Sequence, residues 1–338
     1  MNITYLVGNG LDLQFKLNTR YKDFYKYQLS LYEDKKEKTG YSNFIYANLF
    51  SDKDNGYENW ADFELSIGNL TKTKSEITSS EQSKDKFIDD FADIVDDLRD
   101  YLKIIEESFD SEKYVIDFIN TLNGLVTDLP RTNQARIRQM FRDNYHSDDK
   151  VTILTLNYTN TIDSLYEQSE KVFSNSFKDN NYKFRIEPPI HAHGSLGFCT
   201  ILGVSDEDQI SGDFSDEQKE SLVKGLALSS FREDMDERNS QVISTSDIFI
   251  IYGLSLGETD KYIWNQLAKQ SINRKIPIII YDYNPEFDPG NPTRIKRMYK
   301  RVETKFIKNS GIDKELEEQL RKQLIPVIGK SIFELKEK

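Results

Sequence analysis

Four short runs of β-branched, aliphatic and aromatic residues constrain this chain most: residues 3–7, 151–156, 248–252 and 276–281. Their apolarity is nearly continuous rather than alternating, which predicts strands covered on both faces of a parallel sheet. Three of the runs stop at a polar or glycine cluster: Gly8-Asn9-Gly10, Asn157-Tyr158-Thr159-Asn160 and Gly253-Leu254-Ser255. In open α/β sheets, ligands sit beyond the carboxyl ends of the strands, so these three clusters are expected to converge. The first run opens the chain and passes through its glycines into Leu11-Asp12-Leu13, the start of a helix. A glycine turn at that point lets the backbone approach a phosphate, with helix N–H groups aimed at it.

The 338 residues accommodate one large α/β domain with insertions, or two domains. The expected fold is α/β: a Rossmann-like parallel sheet flanked by helices, one domain over residues 1–338, with a large α-helical insertion at about 30–145. Within the insertion, residues 85–107 carry Phe87, Ile88, Phe91, Ile94, Val95, Leu98, Tyr101, Leu102 and Ile105 on one stripe of an acidic helix. Residues 111–129 repeat the pattern less cleanly. Residues 205–218 are acidic and glycine-containing and read as a mobile loop. Residues 262–272 read as the helix after the third run, and residues 314–324 as a C-terminal helix with an apolar tail through Phe333.

Net charge is −12, which makes the chain a poor default candidate for nucleic-acid binding. One basic stretch, Arg294-Ile295-Lys296-Arg297-Met298-Tyr299-Lys300-Arg301, cuts against that average and reads as a solvated helix face. The single cysteine, Cys199, allows neither an internal disulfide nor a cysteine-based zinc site. No apolar run approaches the ~20 residues of a membrane span, and the start lacks the pattern of a signal peptide. A soluble, cytoplasmic protein with no membrane contact is expected.

The chemistry-bearing residues cluster at the strand ends. Gly8-Asn9-Gly10 lacks the third glycine of a full Gly-x-Gly-x-x-Gly, and a tight strand-to-helix turn without a ligand explains it equally well. Asp12 sits where a carboxylate stabilises a helix N-terminus but repels a nearby phosphate. Asn157, directly after a buried strand, can aim its amide into the cleft, while Thr159 or Asn160 caps the next helix. His191 and His193 lie two apart on an extended segment, but no further ligand completes a zinc site, and no metal is expected. His193, before Gly194, is the candidate general base, since an ordinary imidazole titrates near neutrality. The stretch Gly253-Leu254-Ser255-Leu256-Gly257 matches the esterase nucleophile pattern, but no histidine follows Ser255, so the Ser–acid–His chain order fails. In Trp60-Ala61-Asp62-Phe63-Glu64 the rings suit packing, and the carboxylates read as solvated or salt-bridged.

As an ordered set these motifs resemble the AbiH family of bacterial phage abortive-infection proteins. The resemblance rests on Gly8-Asn9-Gly10-Leu11-Asp12, Thr19-x-Tyr21-x-Asp23-Phe24, Trp60-x-Asp62-x-Glu64, Asn157-Tyr158-Thr159-Asn160-Thr161, His193-Gly194 and Gly253-x-Ser255-Leu256-Gly257-x-x-Asp260. Leu254 departs from the family pattern, where a polar residue or His is expected. A more distant likeness is to sirtuin-type NAD-binding domains, from which Asp12 departs, since such loops carry Ser or Thr near that position. This likeness implies NAD as substrate or ligand, with Gly8, Asn9, Gly10, Asp12, Gly253, Ser255 and Asp260 binding it. Asn157 and His193 would act on the ribose to cleave the nicotinamide–ribose bond. Without the cysteines of the sirtuin zinc module, water rather than an acyl-lysine is the expected acceptor.

The resulting expectation is an antiphage effector that binds NAD or a related nucleotide and hydrolyses it. A non-catalytic nucleotide-binding sensor or interaction module is the alternative, and a metal-dependent nuclease using Asp12, Asp62 and Glu64 a further one. A phage-derived activator and self-association are the partners this reading leaves room for.

Overall fold

The computed structural model describes residues 1–51, 63–144, 149–176, 184–230, 235–284 and 287–329. Its core is a parallel sheet of seven strands: β1 (Asn2–Val7), β2 (Asp149–Thr155), β3 (Phe184–Ile186), β4 (Ile190–His191), β5 (Ile248–Tyr252), β6 (Ile278–Asp282) and β7 (Leu324–Ile328). The order is β3-β2-β1-β5-β6-β7, with β4 also paired to β2. Register is set by Ile3 opposite both Val151 and Ile248, and by Ile278 opposite Leu324. All four runs read as strands are strands, and the α/β, Rossmann-like reading holds.

Both faces of the sheet are covered, which is why its strands read as continuously apolar. On β1, Ile3, Tyr5 and Val7 enter one core, and Leu6 enters the other. The chain leaves β1 toward β2 on one side, while β5 lies on the other. This is the topological switch point where such sheets open a crevice.

Among the described residues, seven helices lie between β1 and β2. They are α1 (Gly10–Gln14), α2 (Tyr21–Thr39), α3 (Phe44–Ser51), α4 (Phe63–Thr73), α5 (Glu81–Glu106), α6 (Ser111–Asn123) and α7 (Arg131–Asp143). Of the predicted stripe of α5, Phe87, Phe91, Ile94, Leu98, Tyr101 and Leu102 are buried and Ile88, Val95 and Ile105 half-buried; the buried side chains pack with Phe24, Tyr46 and Phe63 in a core separate from those on the sheet. The long helix starts at a Ser80 cap, whose hydroxyl accepts from the Ser83 amide. Its acids are not all on the outside: Asp90 is buried and accepts from the Phe44 amide at 2.7 Å.

After β2 come α8 (Thr161–Ser176), α9 (Asp216–Glu220), α10 (Lys224–Ser230), α11 (Met235–Thr245), α12 (Lys261–Arg274), α13 (Pro292–Ser310) and α14 (Glu317–Arg321). Residues 205–218, read as a loose loop, are packed. Ile210 and Phe214 are buried in the insertion's core, and Lys84 Nζ donates to the Asp213 carbonyl at 2.7 Å. The C-terminal reading also needs correction. Residues 314–324 are a 3-10 turn followed by the short α14, and the start of the apolar tail is β7. Pro326 lies in β7, tolerated because among the described residues β7 has a neighbour on one side alone. No helix among the described residues is long and apolar enough to cross a membrane.

Candidate functional site

The three strand-end clusters meet. A cavity of about 1060 Å³ is lined by Asn9, Gly10 and Asp12 after β1, Asn157 to Thr159 after β2, and Gly253 to Ser255 after β5. His193 and Asp260 line it too, so among the candidate residues only Gly8 is absent from its wall.

The glycines have a packing reason of their own. A Cβ on Gly10 would come within 2.4 Å of the Gly253 Cα, and one on Gly8 within 2.2 Å of the Leu254 side chain. Gly253 also has φ +67°, in the left-handed region. The Gly8 amide donates to the Tyr252 carbonyl at 3.0 Å and the Gly10 amide to the Gly253 carbonyl at 2.8 Å. These N–H groups therefore join the β1 and β5 loops, and helix α1 has only five residues. Leu254, the departure from the family pattern, fills the space over Gly8.

Asp12 is buried at 1% exposure and meets hydroxyls rather than a cation. Thr159 Oγ1 donates to Oδ2 and Thr161 Oγ1 to Oδ1, each at 2.7 Å. Burial pushes the Asp12 pKa up to about 6. The two threonine hydrogen bonds oppose that rise, and the charge of Glu106 adds to it. Thr159 thus serves Asp12, and Asn160 is occupied by Glu106 from the end of α5. The Asn160 amide donates to Glu106 Oε2 at 2.7 Å, and its side chain to Oε1 at 3.1 Å.

Asn157 is 7% exposed, and among the described residues its Nδ2 makes no well-formed hydrogen bond. It lies close enough to Asp12 to hold that carboxyl's pKa down slightly. Its backbone is fixed on both sides: the amide donates to Thr155 Oγ1 at 3.1 Å, and the carbonyl meets His191 Nδ1 at 3.1 Å. The other nitrogen of His191 meets Asp163 Oδ2 at 2.8 Å. Burial works to lower the His191 pKa, but the bond to Asp163 and its charge outweigh that and raise it. Its weak contact with Asp12 leaves the amide, on a pinned backbone, able to turn to a better partner in the cavity.

A second group of charges lines the same cavity. Lys224, at the start of α10, is buried and donates to Glu64 Oε2 at 2.7 Å and to Asp260 Oδ1 at 3.3 Å. Tyr21 donates to Glu64 Oε1 at 3.3 Å. Burial raises the Glu64 pKa, and Lys224 pulls it back. Burial works against the Lys224 charge, but the two carboxylates outweigh it and raise its pKa. Lys224 and Tyr21 were not legible as site residues. The only trace of Lys224 was a lone cation directly after the apolar Leu222-Val223.

His193 sits beside this group, with Nε2 2.8 Å from the Tyr262 hydroxyl and 3.6 Å from Asp260 Oδ1. Burial, then the nearby Lys224 charge, lowers its pKa to about 3, against the pull of Asp260. Burial and Lys224 thus act against the neutral-pH base that an ordinary imidazole at this position would be. The two histidines do not converge: β4 ends at His191, Gly194 turns the chain at φ +78°, and the rings take different partners. Ser255 is exposed on the cavity wall.

Among the described residues, no group of three or more His, Cys, Asp or Glu side chains is arranged to hold a metal ion. Asp12 and Glu64 both line the cavity, but each is held by other partners. Trp60, Asp62 and His146 lie outside the described residues.

The sequence matches the family described as bacteriophage abortive infection AbiH over residues 4–282. The chain belongs to the AbiH family. The match takes in every element that lines the cavity up to Asp282. Membership in AbiH assigns the chain to phage abortive-infection defence. No curated protein matches the chain.

Proposed function

We propose that this AbiH protein is a defence effector whose cavity takes a ribonucleotide of the NAD type and hydrolyses its nicotinamide–ribose bond. The observation that carries the reading is the Asn157 amide, without a well-formed hydrogen bond among the described residues, beside the buried Asp12 carboxylate, beyond the carboxyl ends of β1 and β2. An amide donor and a carboxylate acceptor side by side suit ribose hydroxyls, and the donor also suits a bound water.

The C1′–N bond breaks with its electron pair leaving on nicotinamide, and positive charge develops on the ribose. Water adds its oxygen to C1′ and releases one proton. A fixed carboxylate near the developing charge lowers that barrier, and aligned polar groups of this kind contribute on the order of 10²–10³ in rate. Asp12 is ionised above its raised pKa of about 6, and its value is near enough to neutrality to receive the released proton. His193 contributes a neutral ring to the wall. With the Gly8 and Gly10 amides engaged, the pyrophosphate meets Arg20 and Lys22 at the rim.

The test is nicotinamide release from NAD by purified protein, alone and with lysate of phage-infected cells. It is read together with phage protection in Asp12→Asn, Asn157→Ala and His193→Ala. Release abolished in the first two supports the reading. Full protection in all three with no release overturns it. Calorimetric binding without turnover shifts the assignment to a nucleotide sensor.

A further inference from the structure

Helix α13 has a strongly basic solvent face. Between Arg294 and Lys308 it carries seven Lys and Arg residues and one acid, in a chain of net charge −12. Its apolar side, Val302, Phe306 and Ile307, is packed into the sheet's core, so all seven cations point outward. Arg301 pairs with Asp282 at 3.3 Å and Lys308 with Glu258 at 3.1 Å. Arg294, Lys296, Arg297, Lys300 and Lys305 have no ion pair among the described residues.

Stability does not explain this arrangement. Arg294, Lys296 and Arg297 stand in the first turns, where the helix end is already positive and cations are disfavoured. The neighbouring carboxylates are occupied. Asp282 holds Arg301, Glu303 holds Arg321 at 2.9 Å, and Asp288 accepts from the Gly290 amide at 2.9 Å. Tyr283, directly after the Asp282 that Arg301 grips, is 71% exposed and lies on the cavity wall.

We propose that the α13 face together with Tyr283 binds single-stranded nucleic acid, leading it to the mouth of the cavity. From Arg294 to Lys305 the row extends about 16 Å at the helical rise, which spans about five nucleotides of a strand. Arginine forks engage phosphate oxygens in pairs, and an exposed ring offers a base a stacking surface. The acidic remainder of the chain does not cancel the row, because at physiological salt charges beyond about 8 Å are screened. A lipid surface fits less well, since the apolar side of α13 is buried in the protein and cannot insert. The proposal stands apart from the NAD reading: it concerns a partner on the surface, not the ligand in the cavity.

The experiment is fluorescence anisotropy of the full chain with a labelled oligothymidylate of about 12 nucleotides, between about 50 and 200 mM salt. A duplex of the same length and phosphatidylserine vesicles are run in parallel. The single strand should bind most tightly, with affinity falling steeply as salt rises. Arg294→Gln/Arg297→Gln/Lys300→Gln should flatten the log–log salt slope by about 2, at about 0.7 per lost phosphate contact. Tyr283→Ala should weaken single-strand binding by about tenfold and leave the slope unchanged. These sites are exposed, so thermal unfolding should match wild type. No binding of the single strand at low salt overturns the proposal. So does tighter binding of duplex or vesicles, or a triple variant that binds as wild type does.

Discussion

Asp12 and Glu64 are both buried carboxylates on the wall of one cavity, yet their surroundings are opposite. Glu64 belongs to a chain of full charges, with Lys224 between it and Asp260. Asp12 has no cation against it among the described residues; two threonine hydroxyls and the Asn157 side are its neighbours. A carboxylate locked to a buried ammonium is structural, because removing either charge strands the other. A carboxylate held by hydroxyls, with its pKa near 6, keeps proton exchange within reach of neutral pH. The difference suits Glu64 to fixing the insertion and, in the function proposed above, Asp12 to the chemistry.

The largest effect should come from breaking the paired side. Lys224→Met leaves Glu64 and Asp260 facing each other without compensation, and should cost about 3–5 kcal/mol in urea unfolding at neutral pH. A loss below about 1 kcal/mol would show that the triad is solvated in solution.

On the hydroxyl side the sign reverses. Between its ordinary value of 3.8 and its folded value of about 6, Asp12 binds more proton folded than unfolded. Stability is therefore lost as pH rises through that window, by roughly 3 kcal/mol at most. Asp12→Asn removes this penalty. It should raise stability at neutral pH, with the gain shrinking toward zero as pH falls to about 4, while nicotinamide release is lost. A variant less stable than wild type at pH 7 would contradict the unpaired-carboxylate picture.

The glycines are tested next. Gly10→Ala must move the Gly253 backbone from a 2.4 Å approach. The cost expected is about 1–3 kcal/mol in unfolding, the range of overpacked cores, with nucleotide affinity weakened only in step with stability. Affinity lost at unchanged stability would instead return the loop to a phosphate-binding role.

What could be read from the chain follows the same divide. Continuous apolarity revealed β1, β2, β5 and β6, because strands covered on both faces must carry it. The strand-end rule then brought Asn9, Gly10, Asp12, Asn157, Gly253 and Ser255 to one cavity without any pair contact being known. β3 and β4 are too short for a period to register, and Pro326 masked β7. Lys224 and Tyr21 escaped because their roles come from partners far along the chain: Lys224 meets a carboxylate 160 residues away. His193 was assigned a pKa from its residue type, whereas burial and Lys224 determine it. Neither determinant is written in local sequence.

The smallest effect concerns Glu106, the last residue of α5. It reaches the β2 loop through Asn160, and its charge raises the Asp12 pKa. The long helix of the insertion thus touches the Asp12 site electrostatically as well as by packing. Glu106→Gln keeps an acceptor for the Asn160 backbone amide and removes the charge, at the cost of the second acceptor that meets the Asn160 side chain. The Asp12 pKa should then fall, and the stability gained on Asp12→Asn at neutral pH should shrink. A double-mutant cycle isolates that coupling as the difference between the Asp12→Asn gain with and without Glu106. It should be smaller than the Asp12→Asn effect itself and should vanish near pH 4, where Asp12 in the folded protein is protonated. A coupling of zero at pH 7, or one that persists on acidification, would reduce Glu106 to a hydrogen-bonded brace for Asn160 with no hand in the charge state of Asp12.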